Sequence, residues 1–221
     1  PEVWKSCGGE VMGFGDNPVY AGLDLSARTD LTALVLIGQI DGIWHTQPYF
    51  WTPQQGLEDR AHKDRSPYDV WARQGYLNTT QGATVDYEHV AYQMMEILAD
   101  LNIQAIAYDR WRMDVLQREF DRLGASLPLI PHGQGFRDMS GALDMLEAEL
   151  LNGRVAHGLH PVLTMCAANA VTTKDPAGNR KLDKARTTGR IDGMVAMAMA
   201  FGASSGGEVE SAYEAMAFDF V

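Results

Sequence analysis

The chain has 221 residues, 46% of them apolar and 21% charged, which suits one globular domain with a sizeable buried core. Its net charge of −11 argues against a globally basic nucleic-acid binder, and Cys7 and Cys166 form no CxxC pair that would suggest a disulfide framework or a zinc site. The longest apolar run, MVAMAMAFGA from Met194, is too short to span a bilayer, and no charged-then-apolar leader opens the chain, so a cytosolic protein without a membrane role is expected.

Residues 1–18 are Gly-rich and aperiodic, and read as a linker or N-terminal extension. Three runs follow closely, VYAGLDLS, LTALVLIGQ and GIWHTQPYFWT, with short separations marked by Thr29-Asp30 and Asp41-Gly42. Their β-branched and aromatic content predicts a three-stranded antiparallel meander. Residues 53–85 are polar and form a loop-plus-helix excursion, in which SPYDVWARQG is a helix opened by Ser66 and Pro67.

The pattern then changes. Val90, Met94, Ile97, Leu98 and Leu101 fall at helical spacing behind Asp86, a suitable N-cap. IQAIAYD is a short strand, RMDVLQREFDRLG a helix closed by Gly124, and LPLIPHGQG a strand running into a loop. DMSGALDMLEAELLNG is an amphipathic helix ending at Gly153, and 172–190, with turn chemistry at DPAGN, predicts a β-hairpin. IDGMVAMAMAFG is a small-residue helix that must pack closely on a sheet; its methionines are core. Trp44, Trp51 and Trp71 likewise read as packing. Residues 206–221 form a C-terminal tail. A meander followed by alternating helices and strands makes an α/β fold, a mixed sheet with helices on its faces.

Asp24 stands between two leucines in the first strand. Leu23 and Leu25 share one face, so Asp24 points to the other. A charge there must be paired, hydrogen-bonded or metal-bound, and a turn cap or a ligand both satisfy that. Asp109 ends a strand, and Asp192 sits in the first turn of the last helix, where the dipole favours a negative charge. If the strands of Asp24 and Asp109 are neighbours, the last helix can bring Asp192 to them. Three clustered carboxylates need cations, and oxygen-only ligation suits two Mg²⁺ or Mn²⁺ ions.

Between Lys174 and Arg190 the chain carries six basic residues, Lys174, Arg180, Lys181, Lys184, Arg186 and Arg190, against two acids. This local +4 is a candidate phosphate-backbone strip or a solvated loop. His157 and His160 lack metalloprotease spacing and read as structural or substrate-side residues. His132, after a strand end, is a candidate for lining a cleft.

Four blocks carry a resemblance: GLDLSARTDLTALVLIG, AIAYDRWRMDVLQREF, PHGQGFRDMSGALDMLEAELLNGRVAHGLHPVLTMCAANA and GNRKLDKARTTGRIDGMVAMAMAFG. In this order the chain resembles the nuclease domain of tailed-bacteriophage large terminases, the DNA-packaging motor proteins. The resemblance covers most of 19–203, and the last block, a Lys shortly before IDG, is its most specific part. It implies an RNase H-like nuclease domain over 19–205 and metal-dependent endonucleolytic cleavage of double-stranded viral DNA during genome packaging. It also implies that Asp24, Asp109 and Asp192 are catalytic metal ligands, with Asp24 bridging both ions. Asp30 belongs to the family's opening motif and is read as a turn or supporting residue.

The implied partners are double-stranded DNA, the portal protein, the small terminase subunit and the protein's own ATPase domain. The implied location is the host cytoplasm, transiently on the procapsid, and the isolated domain is expected to be monomeric. The chain has no Gly-Lys pair and hence no GxxxxGK[ST] phosphate loop, so ATP-driven translocation is not expected of these residues. Sugar kinases and actin-like ATPases share an opening like DLSARTD but need further Gly-rich loops. A Holliday-junction resolvase or transposase would use the same carboxylates, and only the C-terminal blocks speak against it. A silent DNA- or portal-docking module is opposed by the complete triad.

Overall fold

A computed structural model of the chain describes residues 1–26, 28–110, 113–187 and 189–206. The meander is β1 (Val19–Asp24), β2 (Thr32–Ile40) and β3 (Ile43–Pro53), antiparallel throughout, with Leu23 opposite Leu34 and Val35 opposite Pro48. Asp41 and Gly42 take φ of 50° and 81° between β2 and β3. Two left-handed central residues match the right-handed twist of the flanking strands, the reason an Asp-Gly pair makes a tight hairpin.

The sheet continues on both sides, in the order β4-β3-β2-β1-β5-β6. Here β4 is Asn78–Thr80, β5 is Ile103–Tyr108 and β6 is Leu129–Pro131, each parallel to its inner neighbour. A short β7 (Val155–Ala156) also pairs with β3. The expected hairpin is present as β8 (Thr172–Lys174) and β9 (Arg180–Leu182).

Period-two alternation sorts β2 between two cores. Leu34 and Leu36 face α4 (Tyr87–Leu98) and α5 (Met113–Arg122). Ala33, Val35 and Ile37 face α6 (Phe136–Leu151), α7 (Pro161–Asn169) and α8 (Asp192–Ser204). In β1, Ala21 and Leu23 join the α4–α5 side, which leaves Gly22 and Asp24 facing α8. At Gly22 the helix lies directly on the strand. A Cβ there would stand 1.8 Å from the Ala196 carbonyl oxygen, so only glycine admits α8 this close. That contact is why the helix presents small residues, Ala196 and Ala200, to the strand. Asp86 caps α4 as expected, accepting from the Glu88 and His89 amides at 3.1 and 3.3 Å.

Residues 1–18 correct the linker reading. They begin with α1 (Glu2–Ser6), and Cys7 and Phe14 are each 2% exposed. The Trp4 ring stacks on His157 with centroids 3.8 Å apart, so this segment is packed onto the domain through aromatic and thiol groups that periodicity does not register. The excursion holds two helices, α2 (Leu57–Asp64) and α3 (Tyr68–Arg73). From residue 207 the expected tail lies outside the described residues.

Candidate active site

At the carboxyl ends of β1 and β5, a cleft of about 310 Å³ is lined by Asp24, Leu25, Ser26, Asp30, Asp109, Gln134, Lys184 and Asp192. Because β1 and β5 are parallel neighbours, Asp24 and Asp109 leave the sheet at the same edge. The close seat of α8 on Gly22 brings the first turn of that helix, and with it Asp192, beside Asp24. All three expected aspartates therefore line one cleft. Asp24 and Asp192 are buried, at 3% and 7% exposure.

The two are joined by a lysine. Lys184 Nζ donates to Asp24 Oδ2 at 2.7 Å and to Asp192 Oδ1 at 3.2 Å. Gln134 Nε2 donates to Asp24 Oδ1 at 2.9 Å, so both oxygens of Asp24 are engaged. Asp192 Oδ2 and Ser26 Oγ are buried without a hydrogen-bond partner among the described residues. Burial raises the Asp24 carboxyl to about 7; the Lys184 ammonium opposes this and the Asp192 charge adds to it. For Lys184 burial favours the neutral amine, but the Asp24 and Asp192 carboxylates outweigh it and hold the ammonium charged.

A hard divalent cation fits this donor set, since carboxylate oxygens are its preferred ligands and Asp192 offers one that no other described residue uses. Among the described residues, however, no three His, Cys, Asp or Glu side chains stand together as a ready cage. Asp109 contributes to the cleft wall rather than to the tight Asp24–Lys184–Asp192 cluster.

The basic strip is placed differently from the expectation of an open phosphate-binding surface. Arg180 pairs with Asp144 and Glu147, both at 2.6 Å. Lys184 faces into the cleft, and Arg190 pairs with Asp30 and, at 3.0 Å, with Asp64. Arg186 lies 3.5 Å from Asp183, and Lys181 sits over the Phe136 ring at 4.9 Å. Lys174 is exposed. Partners that neutralise the strip come from α2, α6 and the β1–β2 loop, too far along the chain for local charge counting to find.

Asp30 lines the cleft, held there by Arg190. His132 does not line it; its ring packs against Gly202 of α8, and burial lowers its pKa. Gln134, two residues on, takes the cleft position instead. The only hint in the sequence was its place after β6, since loops at the carboxyl ends of parallel strands converge on ligand sites. His157 and His160 lie elsewhere. His157 bonds to the Trp4 carbonyl at 2.9 Å and His160 caps α7.

The family model for the terminase large subunit, endonuclease domain, matches residues 2–208. The chain belongs to that family. The domain is 58% identical to the large terminase subunit of Enterobacteria phage HK97 over 205 residues, covering 92% of this chain and 40% of the HK97 protein. Against the crystal structure of the HK97 large terminase the TM-score is 0.87, over 91% of this chain and 42% of that one. Protein YmfN of Escherichia coli strain K12 is 27% identical over 215 residues, 90% of this chain and 46% of YmfN.

This terminase nuclease domain thus spans less than half the length of the curated relatives it matches. It is also similar in fold to the large terminase nuclease of thermophilic phage G20c, solved with bound magnesium. That match has 14% identity and a TM-score of 0.55, over 87% of this chain and 88% of that one. The G20c nuclease has also been solved with cobalt and with zinc. The RNase H-like mixed sheet expected from the sequence is the fold observed.

Proposed function

We propose that this domain is a divalent-metal-dependent endonuclease that cuts double-stranded DNA during viral genome packaging. The observation that carries the reading is the convergence of Asp24 and Asp192, two carboxylates from different elements buried side by side. Like charges so placed need a proton or a cation between them, a place the Lys184 ammonium takes here and a divalent ion suits through the same oxygens. Asp24 and Asp192 would hold the first ion, with Asp109 completing the site for a second; Mg²⁺ or Mn²⁺ suits these donors. The magnesium, cobalt and zinc bound by the G20c nuclease support a divalent ion. When bound, such ions supply activation of water and charge neutralisation at a phosphodiester.

The chain's own residues orient and protect this site. Gln134 fixes the Asp24 carboxylate, and the N-terminus of α8 favours the negative charge of Asp192. The Arg190–Asp30 pair holds the β1–β2 loop against the start of α8. Ser26 also lines the cleft, its Oγ buried without a hydrogen-bond partner among the described residues. Lys174, Lys181 and Arg186 are the members of the strip best placed to touch phosphates, and such contacts make cutting largely independent of sequence and steeply dependent on salt. By family, the longer protein would work with an ATPase domain, a portal and a small subunit in the host cytoplasm, and the isolated domain would be a monomer.

The test is plasmid cleavage by the purified domain. Supercoiled DNA is expected to be nicked and linearised with Mn²⁺ or Mg²⁺ and left intact in EDTA. Robust cutting in EDTA would overturn the reading.

A further inference from the structure

The Lys184 ammonium stands where a cation would stand. It is 2.7 Å from Asp24 Oδ2 and 3.2 Å from Asp192 Oδ1, bridging the two carboxylates that come from opposite ends of the chain. We propose, resting on the metal reading of this cleft, that Lys184 is a built-in competitor of the divalent ion: it closes the site in the metal-free protein and must swing out when the ion enters.

Three features support displacement over coexistence. First, a magnesium-sized ion binds carboxylate oxygens at about 2.0–2.1 Å. Sharing these oxygens with an ammonium would leave two cations a few ångströms apart between buried walls, where their repulsion is poorly screened. Second, Asp192 Oδ2 is buried with no hydrogen-bond partner among the described residues, so Lys184 leaves one carboxylate oxygen unsatisfied that an ion taking its place could use.

Third, Lys184 is built to move alone. It lies in a turn just after β9, and 44% of its side chain is exposed although its Nζ reaches the buried carboxylates. The turn is anchored without it, because Asp183 Oδ1 accepts from the Ala185 amide at 3.0 Å. The hairpin is anchored as well, by Arg180 on Asp144 and Glu147. The four-carbon stem can therefore leave the carboxylates with β9 still docked. Its charge stays at the mouth of the cleft, where a phosphate backbone would lie.

The experiment has two arms on the purified 221-residue domain. In the first, lysines are acetylated under limiting reagent with and without Mg²⁺, and the modification is read residue by residue by mass spectrometry. Lys184 is expected to become several-fold more reactive with Mg²⁺, while Lys174 and Lys181 serve as internal references. Unchanged or reduced reactivity overturns the proposal, and this arm needs no variant to fold. In the second arm, Mn²⁺ affinity is measured by calorimetry for the native domain and Lys184→Gln. The variant is expected to bind about tenfold more tightly, within the ordinary range of coupling between competing ligands. Equal or weaker binding by a folded Lys184→Gln overturns the proposal and makes Lys184 a supporting group instead. If neither protein binds Mn²⁺, the metal reading fails, and the proposal falls with it.

Discussion

Gly22 and Ala196 touch through their backbones: a Cβ on Gly22 would fall 1.8 Å from the Ala196 carbonyl oxygen and 2.8 Å from the Ala200 amide nitrogen. No side chain can yield there, so the strand or the helix must move. That one contact sets the height of α8 above the sheet and hence the approach of Asp192 to Asp24. Gly22→Ala is expected to destabilise the domain by about 3 kcal/mol, the upper range for overpacking a core, measured by urea unfolding. In the fraction that folds, Mn²⁺ affinity should fall as well. A variant of native stability and native Mn²⁺ affinity would show that the contact does not position the site.

Asp192→Asn tests catalysis apart from folding. The amide keeps the shape of the side chain but removes a negative charge that faces Asp24. With that repulsion gone, Lys184 and Asp24 can remain paired, so the metal-free melting temperature is expected to stay within a few degrees of native. Cleavage is expected to fall by more than the roughly 10–100-fold that loss of an outer supporting group costs at metal sites. Native cleavage rates from this variant would place the chemistry elsewhere.

The fold and the three aspartates were legible in the sequence because each leaves a local signature. Strand parity put Asp24 opposite Leu23 and Leu25, Asp-Gly marked the β2–β3 turn, and the small residues of MVAMAMAFG marked close helix packing. The electrostatics were not legible. Six basic residues in one stretch read as a strip, yet Asp144, Glu147, Asp64 and Asp30 arrive from distant segments to pair with two of them, and Asp24 and Asp192 turn Lys184 inward. Charge counting along the chain cannot see partners that only folding supplies. Gln134 is illegible for a related reason: an amide carries no charge or spacing signature of its own, and only the folded loop after β6 brings it to Asp24.

Arg190 ties the excursion to the site. Its guanidinium reaches Asp30 on the cleft and Asp64 at the end of α2, and Asp64 also accepts from the Tyr68 hydroxyl at 3.1 Å. Arg190→Gln is expected to cost about 1.5–3 kcal/mol, the range for hydrogen bonds to charged groups, and to speed proteolysis within residues 54–66. Arg190→Lys should recover little, because a single ammonium cannot serve two carboxylates that a planar fork spans. Full recovery by lysine would mean that charge alone matters at this position.

His160 gives the domain an acid-sensitive helix cap. Its Nδ1 accepts from the Leu163 amide at 3.5 Å, and its ring packs near Phe50 and Tyr76, with centroids at 5.5 and 5.1 Å. Burial lowers its pKa from 6.5 to about 4. Between those values the unfolded chain takes up a proton that the native domain refuses, so this stabilisation is complete above pH 6.5 and is lost as pH falls towards 4. A protonated ring would also lose the lone pair that caps α7. Asn keeps a capping oxygen and does not titrate. His160→Asn is therefore expected to lose about 1–2 kcal/mol less stability than the native domain between pH 7 and pH 4.5, allowing for partial solvent screening. The carboxylates titrate in both proteins, so the informative quantity is the difference between their urea midpoints at the two pH values. Identical pH dependence in the two proteins would show that the acid sensitivity comes from elsewhere, with buried His157 the next group to substitute.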